Sequence, residues 1–329
     1  MATGKAPQRT GFQWVLRGAL LAAVLFGLGV GVDWEKSLVI LQDIPMIRLG
    51  GILAAYALTH SLRVVRFALL LKTWDLRTVV SVTSLHVFYL RVLPFRSGEL
   101  AYAFLLRGTH LGTGSDGVAH LTLTRLLDIG VVLLLGGWGV ATLEGSPHLM
   151  LWGWGMGLSG GLLLLMTGFG LGDFFCWLAA RIQRHPALLS GRLRPFSAIA
   201  EKLASEAGQS LKTMDSGSTL GCTGLTLLLW FSAFFVMALC MGAVDDSLSL
   251  AQLLVGGSLT TVSSFVPIGL VGTFGLLEAG WTVGFVAAGA PLVEAATAGL
   301  VYSIMTLIGA ITFALLAPLW KRETPNRSK

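Results

Sequence analysis

The chain has 329 residues, of which 54% are hydrophobic and 12% charged, and its mean hydropathy is +0.76. A soluble domain is about 25% charged, so this composition excludes a soluble fold and points to lipid. The formal net charge is +6, but the basic residues cluster beside apolar runs. That is a topology signal rather than the footprint of a nucleic-acid partner.

A transmembrane helix needs about 20 apolar residues. The first such run, 13–32, follows Lys5, Arg9 and Arg17. No small-residue cleavage site precedes Asp33, so it reads as an uncleaved first helix. Full spans follow at about 47–71, 118–142, 150–172, 218–242 and 295–318, which makes six. Two further apolar stretches, about 79–106 and 250–290, are interrupted: the first by Pro94 and Gly98, the second by Pro267, Gly269, Gly272 and Gly275.

The charges orient these spans. Of 23 lysines and arginines, Arg91, Arg96 and Arg125 fall in mid-membrane sequence. Lys36 and Arg48 fall on one side and the remainder on the other. Asp33, Glu35, Asp43, Glu144, Asp245, Asp246 and Glu294 lie on the lysine-poor side. The positive-inside rule then places both termini in the cytoplasm. The stretch 79–106 begins and ends on the cytoplasmic side, and 250–290 begins and ends outside. Each must leave the membrane where it entered, as a re-entrant hairpin or a full two-helix excursion; 79–106 is too short for two complete spans, and two re-entrant hairpins are expected.

Between the spans, about 173–217 is a cytoplasmic loop. Ile199, Leu203, Ala207, Leu211 and Met214 form an apolar stripe there. This predicts an amphipathic helix at about 197–214, lying on the inner leaflet as a structural element. Cys176, Cys222 and Cys240 are too widely spaced for a disulfide framework or a CxxC metal site.

The two halves, about 47–142 and 218–318, resemble one another. Each carries a Pro-Gly hairpin followed by a span, and the hairpins open to opposite sides. Two like units in opposite orientation form an inverted repeat, and broken segments at matching positions point to a midplane site. The expected architecture is therefore an all-α polytopic membrane protein, a single domain over 1–329, with six full spans and two broken hairpins in an inverted repeat.

Polar chemistry concentrates in two places. The run Tyr89-Leu-Arg91-Val-Leu-Pro94-Phe-Arg96-Ser-Gly98-Glu99 is followed by Arg125-Leu-Leu-Asp128. An ionised side chain at the bilayer centre costs about 2.5–3.5 kcal/mol on insertion scales. Arg91, Arg96, Glu99, Arg125 and Asp128 must therefore face one another or a wet cavity. The pairs Arg96/Glu99 and Arg125/Asp128 are three residues apart and share a helix face. These pairs lock the hairpin to its neighbour, or the surplus positive charge forms an anion site, since a guanidinium grips phosphate in a bidentate fork.

Arg63 and Arg66, with Lys72 and Arg77, end the second span and read as positive-inside anchors, or as an attractor for lipid phosphate. Glu278, in the second hairpin, either pairs with an arginine, carries a coupling proton, or stays neutral and hydrogen-bonded. Thr260, Thr261, Ser263 and Ser264 either satisfy the broken backbone or line a path. His86, near the cluster, reads as a structural, hydrogen-bonded residue. No HExxH, GxSxG, Walker A or metal-ligand cluster occurs. The chain is thus not expected to be an enzyme or to need a cofactor or metal.

At these motifs the sequence resembles the lysylphosphatidylglycerol synthase transmembrane-domain family of flippase-like proteins. The resemblance rests on Leu93-Pro94-Phe-Arg96-Ser-Gly98-Glu99, on Arg125-Leu-Leu-Asp128, and on Pro267-Ile-Gly269-Leu-Val-Gly272-Thr-Phe-Gly275-Leu-Leu-Glu278, and it covers essentially the whole chain. It implies a bacterial inner-membrane protein that moves lipids between leaflets. In full-length relatives a cytosolic synthase domain supplies an aminoacylated phospholipid. Here about 11 residues follow the last span, so that domain is expected to be missing. Stand-alone relatives are associated with hopanoids or polyprenyl-linked glycans. The family's last span often carries an arginine, where this chain reads Val301-Tyr302-Ser303-Ile304.

The expected function is transport of an anionic, phosphate-bearing lipid through a basic midplane cavity. Its candidate residues are Arg91, Arg96, Glu99, Arg125, Asp128 and Glu278. The alternatives are a membrane scaffold for a lipid- or glycan-modifying enzyme and transport of a neutral hopanoid-type lipid. The expected partners are a phospholipid, polyprenyl phosphate or hopanoid, and a lipid-biosynthetic enzyme.

Overall fold

The computed structural model describes residues 33–93, 97–143, 147–169, 171–184, 205, 208–209, 212, 216–245, 247–264 and 275–320. The expected first span, 13–32, and most of the expected amphipathic helix at 197–214 lie outside them. The described residues are helical, in the order α1 (Trp34–Asp43), α2 (Met46–Leu70), α3 (Leu76–Val92), α4 (Gly98–Arg107), α5 (Gly114–Thr142), α6 (Pro147–Phe169), α7 (Leu171–Gln183), α8 (Ser216–Gly242), α9 (Leu250–Ser264), α10 (Leu276–Ala287) and α11 (Leu292–Trp320).

Five of these, α2, α5, α6, α8 and α11, are long and apolar enough to cross a membrane. They coincide with five of the expected spans, with ends displaced by a few residues. The displacement has local causes. Helix α5 starts four residues early because Thr113 and Asp116 form a capping box: the Thr113 hydroxyl accepts from Asp116 N, and the Asp116 carboxylate accepts from Thr113 N at 2.9 Å. Helix α3 starts at Leu76 because Asp75 caps it, accepting from Thr78 N at 3.3 Å. Helices α1 and α7 were not anticipated. Asp33 caps α1, and α7 occupies the start of the expected cytoplasmic loop.

The two interrupted stretches are each a pair of short helices. At 1.5 Å per residue, α4 and α10 reach only about 15 and 18 Å, well short of a hydrocarbon core about 30 Å thick. Helix α4 packs back on α3, and α10 on α9. Gly98 makes the first contact possible, since a Cβ there would collide with the carbonyl of Tyr89.

The packing has a reciprocal pattern. Helix α2 lies against α8. Helix α3 packs on α11, and α9 packs on α5. Helix α4 packs on α5, and α10 on α11. The neighbours α2/α3 match α8/α9, and α2/α11 match α8/α5; only the α8/α11 contact has no equally extensive counterpart. Helix α6 is added outside this set, against α5, through glycines. A Cβ on Gly137 would collide with the backbone of Gly157, and one on Gly153 with that of Ala141. Small residues let membrane helices approach this closely.

Two apolar clusters fill the interior. One gathers Ile52, Tyr56, Val131, Leu135, Phe234, Met237, Trp281, Phe285 and Val301. The other gathers Val64, Phe67, Val79, Val82, Tyr102, Leu106, Leu123, Leu127 and Cys222. They divide α2, α5 and α8 lengthwise, and the polar residues of these helices fall around the junction.

Candidate functional site

Asp128 is the centre of the polar layer. It is the fifteenth of 29 residues in α5, so about 21 Å of helix extends on either side. It is 3% exposed, and both of its oxygens are engaged. Oδ1 accepts from Arg66 Nη1 at 2.7 Å and from Trp230 Nε1 at 3.0 Å. Oδ2 accepts from Arg125 Nη1 at 3.3 Å. Arg66 also donates to Thr226 Oγ1 at 3.2 Å. Arg125 in turn grips Glu99 through two contacts of 3.0 Å, Nε to Oε2 and Nη2 to Oε1. This chain of charges ties α2, α4, α5 and α8 together. A buried charge is tolerable when it is paired and fully hydrogen-bonded.

Beside this network is a cavity of about 200 Å³ between α2, α3, α5, α8, α9, α10 and α11. Four arginines line it: Arg63, Arg66, Arg91 and Arg125. Among the described residues Asp128 is the only carboxylate in its lining, and Glu99 is paired with Arg125. Among the same residues, four guanidiniums against two carboxylates leave a surplus of two positive charges. The surplus belongs to Arg63 and Arg91, which make no hydrogen bond or ion pair with the described residues. Arg91 lies over the Tyr302 ring at 6.0 Å, at the outer range of a cation–π contact. Tyr302 stacks on Trp281, with ring centroids 4.6 Å apart. The site is large and polar enough to hold water. A second, apolar cavity of about 1160 Å³ lies between α5, α6 and α8, lined by residues such as Leu134, Trp138, Leu162 and Leu165.

Of the residues expected from sequence, Arg91, Glu99, Arg125 and Asp128 converge here. Arg96 lies outside the described residues. The anticipated Arg125/Asp128 pair on one helix face exists, yet Arg125 is doubly tied and belongs to the lock. Glu278 is not in the cavity lining. Its Oε2 accepts from Gly275 N at 2.7 Å and caps α10, at a glycine whose φ is 78°. His86 contacts the Gly98 carbonyl through Nδ1 at 3.2 Å, an internal link between α3 and α4.

The residues that sequence reasoning read differently are Arg63 and Arg66. Both line the cavity, and Arg66 is 3% exposed. The usable signal is depth: they precede the end of α2 by seven and four residues, so Arg63 lies about 10 Å inside the span. Thr260, Thr261 and Ser264 line the cavity, and their hydroxyls donate to the α9 carbonyls of Gly256, Gly257 and Thr261. Among the described residues no three His, Cys, Asp or Glu side chains converge as a metal site.

A helical bundle with several spans and a net-basic cavity at mid-span defines a multi-pass membrane protein built around interior charge. The lysylphosphatidylglycerol synthase TM region family matches residues 14–314, and the chain belongs to that family. No curated protein and no solved structure showed significant similarity to the chain.

Proposed function

We propose that this protein moves an anionic, phosphate-bearing lipid between the leaflets of a bacterial inner membrane, as a transporter and not an enzyme. The observation that carries this reading is the pair of arginines, Arg63 and Arg91, which line the cavity and have no carboxylate partner among the described residues. A lock needs only matched charges. Two surplus guanidiniums at membrane depth are costly unless something anionic visits them. Family membership supports handling of lipid. The tail stays in hydrocarbon, and the apolar cavity between α5, α6 and α8 offers it a berth.

The reciprocal packing of α2–α5 and α8–α11 supports an inverted repeat, and the positive-inside distribution of lysine and arginine supports cytoplasmic termini. The α3/α4 and α9/α10 pairs then act as re-entrant hairpins from opposite sides. Alternating access follows as one half rocks against the other around the fixed site.

Binding of phosphatidylmethanol, an anionic phosphodiester, and of a neutral diacylglycerol with the same tails tests this on purified protein. The anionic lipid is expected to bind, and Arg63→Gln with Arg91→Gln to weaken it by more than about tenfold, since each charge-assisted hydrogen bond contributes about 1.5–3 kcal/mol. Equal binding of the neutral lipid, or of the anion to the double variant, overturns the reading.

A further inference from the structure

The basic cavity and the apolar cavity meet at a helix crossing, and we infer that a single lipid straddles it: the phosphate sits among the arginines, the tails lie between α5, α6 and α8, and the glycerol neck passes Trp230, which gates the way. This rests on the phosphate reading above and adds a route to it.

Both cavities share α5 and α8, but in opposite order. Along α5 the basic cavity takes Leu121, Arg125 and Asp128, and the apolar cavity then takes Leu134, Leu135 and Trp138. Along α8 the apolar cavity comes first, at Leu220 and Thr223, and the basic cavity follows, at Trp230 and Met237. Leu121, Asp128 and Leu135 recur at intervals of two helical turns, as do Thr223, Trp230 and Met237, so one face of each helix serves both cavities. The two helices run the same way. Helix α9 is antiparallel to α5, since Gly136 meets Ser258 and Gly139 meets Leu254. It is also antiparallel to α8, which precedes it by a short connection and meets Gly257 through Phe234 and Met237. Two parallel helices that exchange sides must cross. The crossing lies where Trp230 Nε1 donates to Asp128 Oδ1 at 3.0 Å, and the cavities are the two side angles of this X.

The two chambers admit different chemistry. The apolar one opens outward, with Leu158 72% and Leu220 75% exposed along its rim. Its one hydroxyl among the described residues, on Thr223, gives its proton to Thr219 O at 3.0 Å. That chamber draws hydrocarbon, and the arginines draw an anion. A lipid that satisfies both must thread its neck between α5 and α8.

Trp230 is built for such a gate. Its indole is the large side chain at the crossing, and it is the neutral member of the three donors to Asp128. When it swings away, Asp128 still holds Arg66 and Arg125, so no buried charge loses its partner. The motion gives up one hydrogen bond to a charged acceptor, a modest cost.

Photoreactive phosphatidylglycerol, with a diazirine either beside the ester or at the chain end, tests this on the full chain in proteoliposomes. The chain-end probe is expected to label 134–138, 154–165 and 220–223, and the ester-side probe the crossing around Trp230. Excess phosphatidylmethanol should suppress both patterns, and the same excess of a neutral diacylglycerol with the same tails should not. Equal suppression by the neutral lipid means the groove holds bulk hydrocarbon and overturns the inference. Binding of the anionic lipid without label at the crossing overturns it too, and both results leave the phosphate reading standing. Failure of the anionic lipid to bind overturns both. None of these comparisons needs a variant to fold. Trp230→Phe then isolates the gate, since it keeps an aromatic ring and loses the donor. It should raise the association and dissociation rates of phosphatidylglycerol together, by roughly tenfold each, the worth of that hydrogen bond. A packing role would raise dissociation alone. Unchanged rates, or faster dissociation alone, remove Trp230 as the gate.

Discussion

Arg66 and Arg63 stand one turn apart on α2, yet they carry different burdens. Arg66 neutralises a buried carboxylate, and Arg63 neutralises nothing within bonding distance among the described residues. Their variants should therefore part company. Asp128→Asn leaves Arg66 buried without its counter-charge and should destabilise the fold by about 3–5 kcal/mol, the usual penalty for breaking a buried pair. Arg63→Gln should change stability by no more than about 0.5 kcal/mol, like a substitution that touches no structural partner. Denaturant unfolding of both variants in detergent measures this. Equal loss in the two would remove the distinction between lock and ligand. Arg91, Glu99, Arg125 and Asp128 were legible in the sequence because an ionised group in an apolar run has so few physical options. Arg66 was not, because an arginine near the end of a span can also snorkel to the interface. Glu278 was misleading for a different reason. Its three-residue spacing from Gly275 is that of a helix cap, a local role that an apolar context disguises as a buried charge.

At the scale of helices, glycine decides what can touch. A Cβ at Gly137 would meet the Gly157 backbone, whereas one at Gly155 would meet nothing within 4 Å. Backbone cannot yield as a side-chain tip does, so Gly137→Ala should destabilise the α5/α6 pair by about 1–3 kcal/mol, as overpacking does. Gly155→Ala should be neutral or slightly stabilising, because glycine costs a helix interior up to about 1 kcal/mol relative to alanine. Thermal unfolding of the two variants checks the pair, and equal behaviour would contradict the packing. The five long helices were readable because hydropathy and length suffice to define a span. Helices α1 and α7 escaped, being only 10 and 13 residues long. The reciprocal pairing of α3 with α11 and α9 with α5 was also out of reach. It is a property of which faces meet, and apolar faces in lipid carry no strong periodic mark.

For the molecule as a whole, orientation comes first. In a background with Cys176, Cys222 and Cys240 replaced, cysteines at Asp245 and Glu294 should label from outside intact cells. Cysteines at Arg77 and Arg107 should label only after the membrane is opened. External labelling at Arg107 would reverse the assignment of sides and with it the direction of each hairpin. Beyond orientation, binding alone does not separate a transporter from a scaffold that holds a lipid for a partner enzyme; movement does. The most direct measurement is therefore lipid translocation in proteoliposomes, following the transfer of a labelled anionic phospholipid from the inner to the outer leaflet. The account predicts that wild-type protein accelerates this transfer over protein-free vesicles. Arg63→Gln with Arg91→Gln should abolish the acceleration while remaining folded, and a neutral lipid with the same tails should gain little. Wild-type protein that binds the anionic lipid but moves it no faster than empty vesicles, or a double variant that moves it at the wild-type rate, would contradict the account.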